Sequence, residues 1–330
     1  MLYRWCNEIH SINLAFFNLK RICRKAEFLK GGRGRKPKRA IEKYAFALVL
    51  KEFDKRTLRS AEEHLSKLIF DERVDHSVLS YWENNPKMIK LLQIFIAVAG
   101  ALLDKALSSL FSFVDATKFT SWKIEETFVT VCNRIAKETV YPIGISFEKE
   151  TVAKPVDESV PNGNGLLYAD AGYDDNKTIG ILFGKGYTPI VCPNKNRWRG
   201  YHRKKARKLY RMREHRLGYR QRGRGESLFG SLTNCYGDRF YAVNPEAMMT
   251  ITASRILCYQ IKLLIRINNT NVLFIRHAPL NKYFYLRIRN SFGELLLICF
   301  LFCLGALSNF LCHFIKLKIL GDNKIIFIIN

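Results

Sequence analysis

Apolar residues between positions 41 and 85 recur at the spacing of amphipathic helices. Residues 41–53 and 58–70 each place apolar side chains on one helical face, and a shorter apolar face follows at about 77–85. Asp75, or His76 with Ser77, supplies an N-cap for the last of these helices. Short helices with tight connections are typical of a helix-turn-helix module, whose last helix enters the major groove of DNA. Any small helical bundle produces the same pattern, so both interpretations stay open.

The pattern changes from helix to strand after a long apolar run. Residues 90–107 predict a core helix, because Asp104 and Lys105 interrupt the run before it is long enough to cross a membrane. The predicted elements that follow are strands at 109–119, 127–135, 139–149, 165–175 and 188–194, a polar connection at 154–165, and helices at 176–184, 226–235 and 245–266. This order predicts an α/β fold with a mixed sheet and flanking helices, and a ribonuclease H-like domain is one option among such folds.

The balance of charge narrows the class of function. The 330 residues include 54 Lys and Arg against 29 Asp and Glu, which gives a formal net charge of +25. Nucleic acid is the commonest polyanion that neutralises such a surface, although a ribosomal or simply basic protein has the same composition. The nine Cys are scattered singly without a CxxC pair, which argues against a zinc ribbon and suits a reducing, cytoplasmic setting.

Two segments concentrate the positive charge. Residues 30–39 read KGGRGRKPKR and predict a flexible basic arm, in which Arg35 and Lys36 contact DNA unless the segment is only a solvated linker. Residues 195–224 are the most basic tract, with Trp198, Tyr201, Tyr210 and Tyr219 interleaved among the cations. Cations neutralise phosphates and aromatic rings stack on bases, so the tract predicts a DNA-binding surface rather than a disordered charge run. Its candidate DNA contacts are Arg203, Lys204, Lys205, Arg207, Lys208 and Arg211.

Two acidic residues follow apolar strands. Asp115 comes after FSFV and Asp170 after LLYA. Each alone is also explained as a turn residue at the end of a strand. Together, in a basic chain, they indicate a metal site, because side chains at strand ends in α/β sheets converge on one place. Two such carboxylates and a third from a helix hold two Mg²⁺ or Mn²⁺ ions about 3.5–4 Å apart, which activate a water or a 3′-hydroxyl for attack on a phosphodiester.

The motifs around these acids resemble a known family. VDATKF surrounds Asp115, YADAGYDD surrounds Asp170, and YRQRGRGESLFGSL gives the spacing Y-x2-R-x3-E that ends at Glu226. The chain resembles the DDE transposases of bacterial and archaeal insertion sequences over roughly residues 108–267. The resemblance implies a ribonuclease H-like core, two divalent metal ions and no small-molecule cofactor. It further implies hydrolysis at the ends of the element followed by strand transfer, with double-stranded DNA as the partner and a homodimer in the synaptic complex.

The resemblance also assigns roles to residues. Asp115, Asp170 and Glu226 become the catalytic metal ligands, while Tyr219 and Arg222 contact DNA, Arg222 at a phosphate. Gly223 and Gly225 weaken the helix between Tyr219 and Glu226, so the spacing alone does not place Tyr219, Arg222 and Glu226 on one helical face. The family often has a Lys seven residues after the Glu, where this chain has Thr233. A catalytically inactive, DNA-binding relative is therefore the alternative function.

The predicted organisation has four parts: an N-terminal segment with the basic arm at 1–40, a helical DNA-binding domain at 41–107, a catalytic domain at 108–267, and an apolar tail at 268–330. Residues 295–315 contain no Asp, Glu, Lys or Arg and are long enough to cross a membrane. A decayed end, a packing helix and a membrane segment each explain this run. The expected location is the cytoplasm, at the nucleoid, with membrane attachment as a further alternative.

Overall fold

The computed structural model describes residues 38–109, 111–121, 123, 127–137, 139–148, 152–196, 199–237 and 239–276, and two strands at 315–320 and 324–329. Side chains are described as far as Ile267, with a few omitted before it. The chain divides into two compact units, residues 1–267 and 268–330.

Five helices open the described part of the first unit: α1 Ile41–Phe53, α2 Leu58–His64, α3 Ser66–Phe70, α4 His76–Glu83 and α5 Pro86–Ala106. The predicted caps are present, since Asp75 accepts a hydrogen bond from the Ser77 amide at 2.7 Å. The single helix predicted at 58–70 is instead two helices, and the Ser66 hydroxyl donates to the carbonyl of Glu62 at the break. Such local bonds compete with the regular helical ladder, so residue pattern alone does not reveal the interruption.

The sheet that follows is mixed. Its strands are β1 Phe111–Ser121, β2 Thr127–Ile135, β3 Val140–Ser146, β4 Leu166–Ala169 and β5 Thr188–Val191, in the spatial order β3-β2-β1-β4-β5. The first three strands form an antiparallel meander, while β1–β4 and β4–β5 pair in parallel. A short strand, β6 Arg239–Phe240, extends the far end of β1. The predicted α/β class with a mixed sheet and flanking helices is therefore confirmed.

The remaining helices are α6 Ala153–Ser159, α7 Asn176–Gly184, α8 Tyr201–Arg211, α9 Arg213–Tyr219, α10 Gly223–Tyr236 and α11 Pro245–Arg276. The polar connection predicted at 154–165 is in its first half a helix, because α6 covers Ala153–Ser159. Pro155 is tolerated in the first turn of a helix, and Val156 and Val160 are buried four residues apart, which gives α6 an apolar side. The prominence of Pro, Asn and Gly in this segment conceals that spacing.

The two faces of the sheet pack against different helices. Phe113 and Tyr168 belong to the core shared with α1, α5, α10 and α11, whereas Val114 and Ala169 belong to the core shared with α6 and α7. Side chains alternate between the faces along a strand, so the residues after Val114 and Ala169 return to the first face. That alternation decides where Asp115 and Asp170 point.

A buried network of charges joins the N-terminal helices to α11. The Lys51 ammonium lies 2.7 Å from Glu83 and 2.8 Å from Glu52, and Arg255 of α11 lies 2.8 Å from Glu52. Burial raises the pKa of the Glu52 carboxyl, but the charges of Lys51 and Arg255 outweigh it and hold that pKa below its usual value. The helices at 41–106 are thus tied to α11 by paired charges as well as by apolar packing.

Two described helices, α5 and the Pro245–Ile267 part of α11, are long and apolar enough to cross a membrane by length and composition. Both also contribute side chains to the core. The run at 295–314, on which the membrane alternative depends, lies outside the described residues. The second unit contains an antiparallel pair of strands, β7 Ile315–Leu320 and β8 Lys324–Ile329.

Candidate active site

The predicted pair of strand acids comes together because of the register between β1 and β4. Val114 pairs with Ala169 as the last matched position of these parallel strands, so Asp115 and Asp170 follow side by side. Both lie on the face of the sheet that carries Phe113 and Tyr168, since alternate residues share a face. Asp115 closes the apolar run FSFV but not its strand, because β1 continues to Ser121, close to the end predicted at 119. Asp115 marks the end of the pairing with β4, which leaves its side chain at an open edge.

The third acid arrives on a helical segment that crosses this face. A short 3₁₀ turn at Arg220–Arg222 runs directly into α10, so helical backbone continues through Gly223 and Gly225. The helix is irregular before Gly223, where the turn is 3₁₀, but the two glycines do not interrupt it. Gly225 is buried, and a Cβ placed on it would lie 2.0 Å from the ring of Phe113. Its missing side chain lets α10 approach β1 closely enough to bring Glu226 toward Asp115.

Arg222 lies among all three carboxylates. Its guanidinium nitrogens are 3.8 Å from Asp115, 3.9 Å from Asp170 and 3.9 Å from Glu226, the last across one turn of helix. The arrangement places Arg222 and Glu226 on one face, as the Y-x2-R-x3-E spacing predicts. The exposed fraction of the acid side chains rises from 19% for Asp115 to 50% for Asp170 and 68% for Glu226. The site is therefore closed at the sheet and open toward solvent at the helix.

Tyr219 also reaches the site. Its hydroxyl donates to a carboxylate oxygen of Asp170 at 3.4 Å, and its ring contacts those of Tyr168 and Tyr210 edge-on. The Arg222 guanidinium lies 5.9 Å from the centre of the Tyr219 ring. Tyr219 thus holds Asp170 and packs against Arg222, and it is half-buried rather than displayed as a surface for bases.

The charges of the site change the pKa of its members. Burial raises the pKa of the Asp115 carboxyl, and the Ala116 amide and Arg222 only partly offset it. Burial lowers the pKa of Arg222, yet Asp170, Tyr219, Asp115 and Glu226 together raise it above its usual range. The guanidinium therefore stays charged, and it compensates part of the negative charge that the acids bring together.

The charges of the site reach Tyr173, a residue that the sequence pattern does not predict. It is buried, and burial first and then the charges of Asp115 and Asp170 raise the pKa of its hydroxyl. Its position in YADAGYDD, one helical turn after Asp170, is the signal that the motif offers. The Tyr173 side chain belongs to the core shared with α6 and α7, on the face of the sheet away from the two acids.

The basic tract splits into two groups on opposite faces of α8. Arg203 is buried; it donates to the Asp174 carboxylate at 3.0 Å and to the Asp174 carbonyl at 2.7 Å. Arg207 approaches the same carboxylate at 3.4 Å and donates to the Asn194 carbonyl at 3.0 Å. This corrects the prediction that Arg203 and Arg207 contact DNA, because their guanidinium groups are engaged inside the fold. Asp174 lies in the YADAGYDD motif, where the sequence shows it only as one more acid.

The opposite face of α8 is exposed. Lys204, Lys205, Lys208 and Arg211 lie on it together with Tyr201, whose side chain is 74% exposed. Spacings of three and four residues place these side chains in one stripe. The Lys205 ammonium lies 4.3 Å from the centre of the Phe183 ring, which anchors part of the stripe to α7. Arg35, Lys36 and Trp198 lie outside the described residues.

The donor set suits a hard divalent cation. Asp115, Asp170 and Glu226 offer carboxylate oxygens, the ligands that Mg²⁺ and Mn²⁺ prefer, and they converge on a single cationic group. A separate group, Glu62, Asp75 and His76, also brings potential ligand atoms within 4.8 Å of one another. There Glu62 accepts hydrogen bonds from the His76 amide and from Arg73, so that group caps the start of α4.

Thr233 lies two turns after Glu226 on α10. Its hydroxyl donates to the carbonyls of Phe229 and Gly230, both at 3.1 Å. A hydroxyl turned back onto its own helix provides no cation at the position where the family often has a Lys.

Comparison with known proteins supports the resemblance. Residues 148–261 match the family model of the transposase DDE domain. The matched range includes Asp170, Arg222 and Glu226, and Asp115 precedes it on the neighbouring strand. No match to a curated protein or to a solved structure was found. The mixed sheet with flanking helices agrees with the ribonuclease H-like core that such a domain has.

Proposed function

We propose that this chain, in which residues 148–261 match the family model of the transposase DDE domain, binds the ends of its own insertion sequence and catalyses metal-dependent DNA cleavage and strand transfer. The proposal includes a homodimer that joins two element ends, and a location in the cytoplasm at the nucleoid. One observation carries it: Asp115, Asp170 and Glu226, from two strands and a helix, converge around Arg222.

The three carboxylates are the proposed ligands of two Mg²⁺ or Mn²⁺ ions. When bound, such a pair activates the attacking oxygen and stabilises the leaving oxygen of a phosphodiester. Asp115 and Asp170 are held by the register of β1 and β4, and rigid strands keep both side chains in position. Glu226 is the most exposed of the three and approaches from α10.

The groups around the acids orient the DNA. Arg222 is proposed to contact the phosphate at the site, since a guanidinium matches the geometry of phosphate oxygens. Tyr219 holds Asp170 through its hydroxyl. The positively charged stripe on α8 follows the DNA backbone without reading its sequence, as phosphate contacts do. Sequence recognition is assigned to α4, where Val78 and Tyr81 are exposed.

The test is cleavage of DNA that carries the terminal repeats of the element. With Mg²⁺, the purified protein should nick this DNA at the element ends. Asp115→Asn, Asp170→Asn and Glu226→Gln should each reduce nicking to background while end binding, read by gel shift in EDTA, stays close to that of the unmodified protein. Normal cleavage by all of these variants would refute the assignment of the site, and binding without any cleavage by the unmodified protein would refute the enzymatic function.

A further inference from the structure

We propose that Arg222 is an internal counter-cation that occupies the centre of the three carboxylates in the absence of DNA and keeps divalent metal binding weak until a DNA phosphate draws it away. The inference rests on the proposed function and adds regulation to it, because metal and DNA would then load the site together. Metal without DNA would bind weakly, because the guanidinium partly fills the site.

The distances from Arg222 indicate that its guanidinium is held by electrostatic attraction and not by hydrogen bonds. Its distances to Asp115, Asp170 and Glu226, 3.8, 3.9 and 3.9 Å, all exceed hydrogen-bond length. An arginine built only to brace one acid would form a short, paired set of hydrogen bonds with it. Nearly equal, longer distances to several acids instead place the guanidinium where their combined potential is most negative.

The same position is where a divalent cation is attracted most strongly by the three carboxylates. A guanidinium carries one positive charge and a divalent ion two, and like charges within a few ångströms repel strongly in a partly buried site. The Arg222 side chain is only 20% exposed, so water screens this repulsion incompletely. A divalent ion therefore gains the full field of the carboxylates only after the guanidinium has moved.

A DNA phosphate binds the Arg222 guanidinium more favourably than the carboxylates do. Phosphate oxygens accept paired hydrogen bonds from a guanidinium, which the carboxylates at their present distances do not. The Arg222 side chain extends from the turn before α10, is 20% exposed, and lies 3.9 Å from Asp170, whose side chain is 50% exposed, so it borders solvent. By linkage, DNA that relocates Arg222 must strengthen metal binding by the same factor by which metal strengthens DNA binding.

The test measures Mn²⁺ binding to the full chain by electron paramagnetic resonance of the free ion, without DNA. The variants are Arg222→Gln and, as matched control, Arg220→Gln, which removes the same charge from an exposed neighbour in the same turn. We expect Arg222→Gln to bind Mn²⁺ roughly tenfold more tightly than the unmodified protein, since one repelling charge is removed. Arg220→Gln should change the affinity less than about twofold, because its charge is in solvent.

A second arm tests the coupling. The affinity for a duplex of the terminal repeat, read by fluorescence anisotropy with EDTA or with Mn²⁺, should rise with the ion for the unmodified protein by roughly tenfold. In Arg222→Gln this rise should shrink, because the competition that creates the coupling is gone.

The outcomes separate this inference from the proposed function. Equal or weaker Mn²⁺ binding by Arg222→Gln overturns the counter-cation role. The metal site still stands in that case if the single substitution Asp115→Asn abolishes Mn²⁺ binding. Mn²⁺ binding that Asp115→Asn leaves unchanged overturns the proposed site and this inference with it. Tighter binding in both Arg222→Gln and Arg220→Gln also overturns the inference, since net charge alone would then explain the effect.

Discussion

Gly225 of α10 rests directly on the ring of Phe113 in β1, with space for a hydrogen but none for a methyl group. This contact brings a helix that carries one acid against a strand that carries another. Glu226 follows Gly225 in sequence, and Asp115 lies two residues after Phe113 on the same face of the sheet. The glycine thus permits the close approach of the helix and the strand that carry these two acids.

Replacing Gly225 by Ala should destabilise the protein. A Cβ at 2.0 Å from Phe113 forces the helix or the ring to shift, and such overpacking costs about 1–3 kcal/mol in the free energy of unfolding. The shift should also lower the cleavage rate by moving Glu226. Urea unfolding followed by circular dichroism gives the first quantity, and nicking of terminal-repeat DNA the second.

Gly223 provides the matched control for that experiment. It is helical and exposed, and a Cβ there meets nothing within 4 Å among the described residues. Gly223→Ala should therefore stabilise the protein by roughly 0.4–1 kcal/mol. If both substitutions shift the urea midpoint in the same direction, the contact with Phe113 does not decide the effect.

The two faces of α8 should respond differently to substitution. Arg203→Met leaves the Asp174 carboxylate, 2% exposed, without one of its cations, and breaking a buried ion pair costs about 3 kcal/mol in the free energy of unfolding. Lys204→Gln and Lys208→Gln should leave that free energy nearly unchanged. Each should instead weaken DNA binding on any sequence and reduce the slope of log affinity against log salt by about 1.

Thermal unfolding and DNA titrations over a range of salt concentrations separate these effects. An Arg203→Met protein that is as stable as the unmodified one would show that its ion pair contributes nothing. Salt slopes that stay the same in Lys204→Gln and Lys208→Gln would move the DNA path away from α8.

Acid should weaken the contact between the N-terminal helices and α11 through Glu52. Its folded pKa lies below the ordinary value of 4.5, so its contribution to stability is complete above that pH and is lost as the pH falls through the folded pKa. Urea midpoints should therefore drop on acidification below about pH 4.5, and Glu52→Gln should lower the midpoint at neutral pH and flatten this drop. The exposed Glu63 serves as control, since Glu63→Gln should leave the profile unchanged.

Tyr219→Phe should show how much the Tyr219 hydroxyl contributes by positioning Asp170. The hydroxyl donates to Asp170 over 3.4 Å, a long bond whose loss costs about 1 kcal/mol, or roughly fivefold in cleavage rate. The ring contacts with Tyr168 and Tyr210 remain, so the melting temperature should hardly change. A loss as complete as that of Asp170→Asn would instead place the Tyr219 hydroxyl in the chemical step.

The acids of the site can be predicted from sequence because each ends a short apolar run or sits in a recognisable spacing. Asp115 and Asp170 are found in that way, and Glu226 follows from Y-x2-R-x3-E. The position of Arg222 among all of them cannot be predicted so, because it depends on the register of β1 against β4. Register is a long-range property that local patterns do not contain.

The basic tract shows the opposite difficulty. Charge alone makes Arg203 and Lys204 look equivalent, yet one is buried and the other exposed. The helical phase separates them: the buried Ala206 lies three residues after Arg203 and marks the inner face of α8. The partner of that face, Asp174, comes from a distant loop, so only the folded chain shows which cations serve structure.

The buried charge network limits how the chain can be truncated or joined to parts of other chains. It consists of Lys51, Glu52, Glu83 and Arg255. A fragment that starts at residue 108 would expose Arg255 and the apolar side of α11 to water, and it should aggregate rather than fold on its own. If the N-terminal helices recognise element ends as proposed, exchanging them between related chains would require exchanging the matching surface of α11 as well. The proposed recognition of element ends and the proposed catalysis would, in that sense, be inherited together.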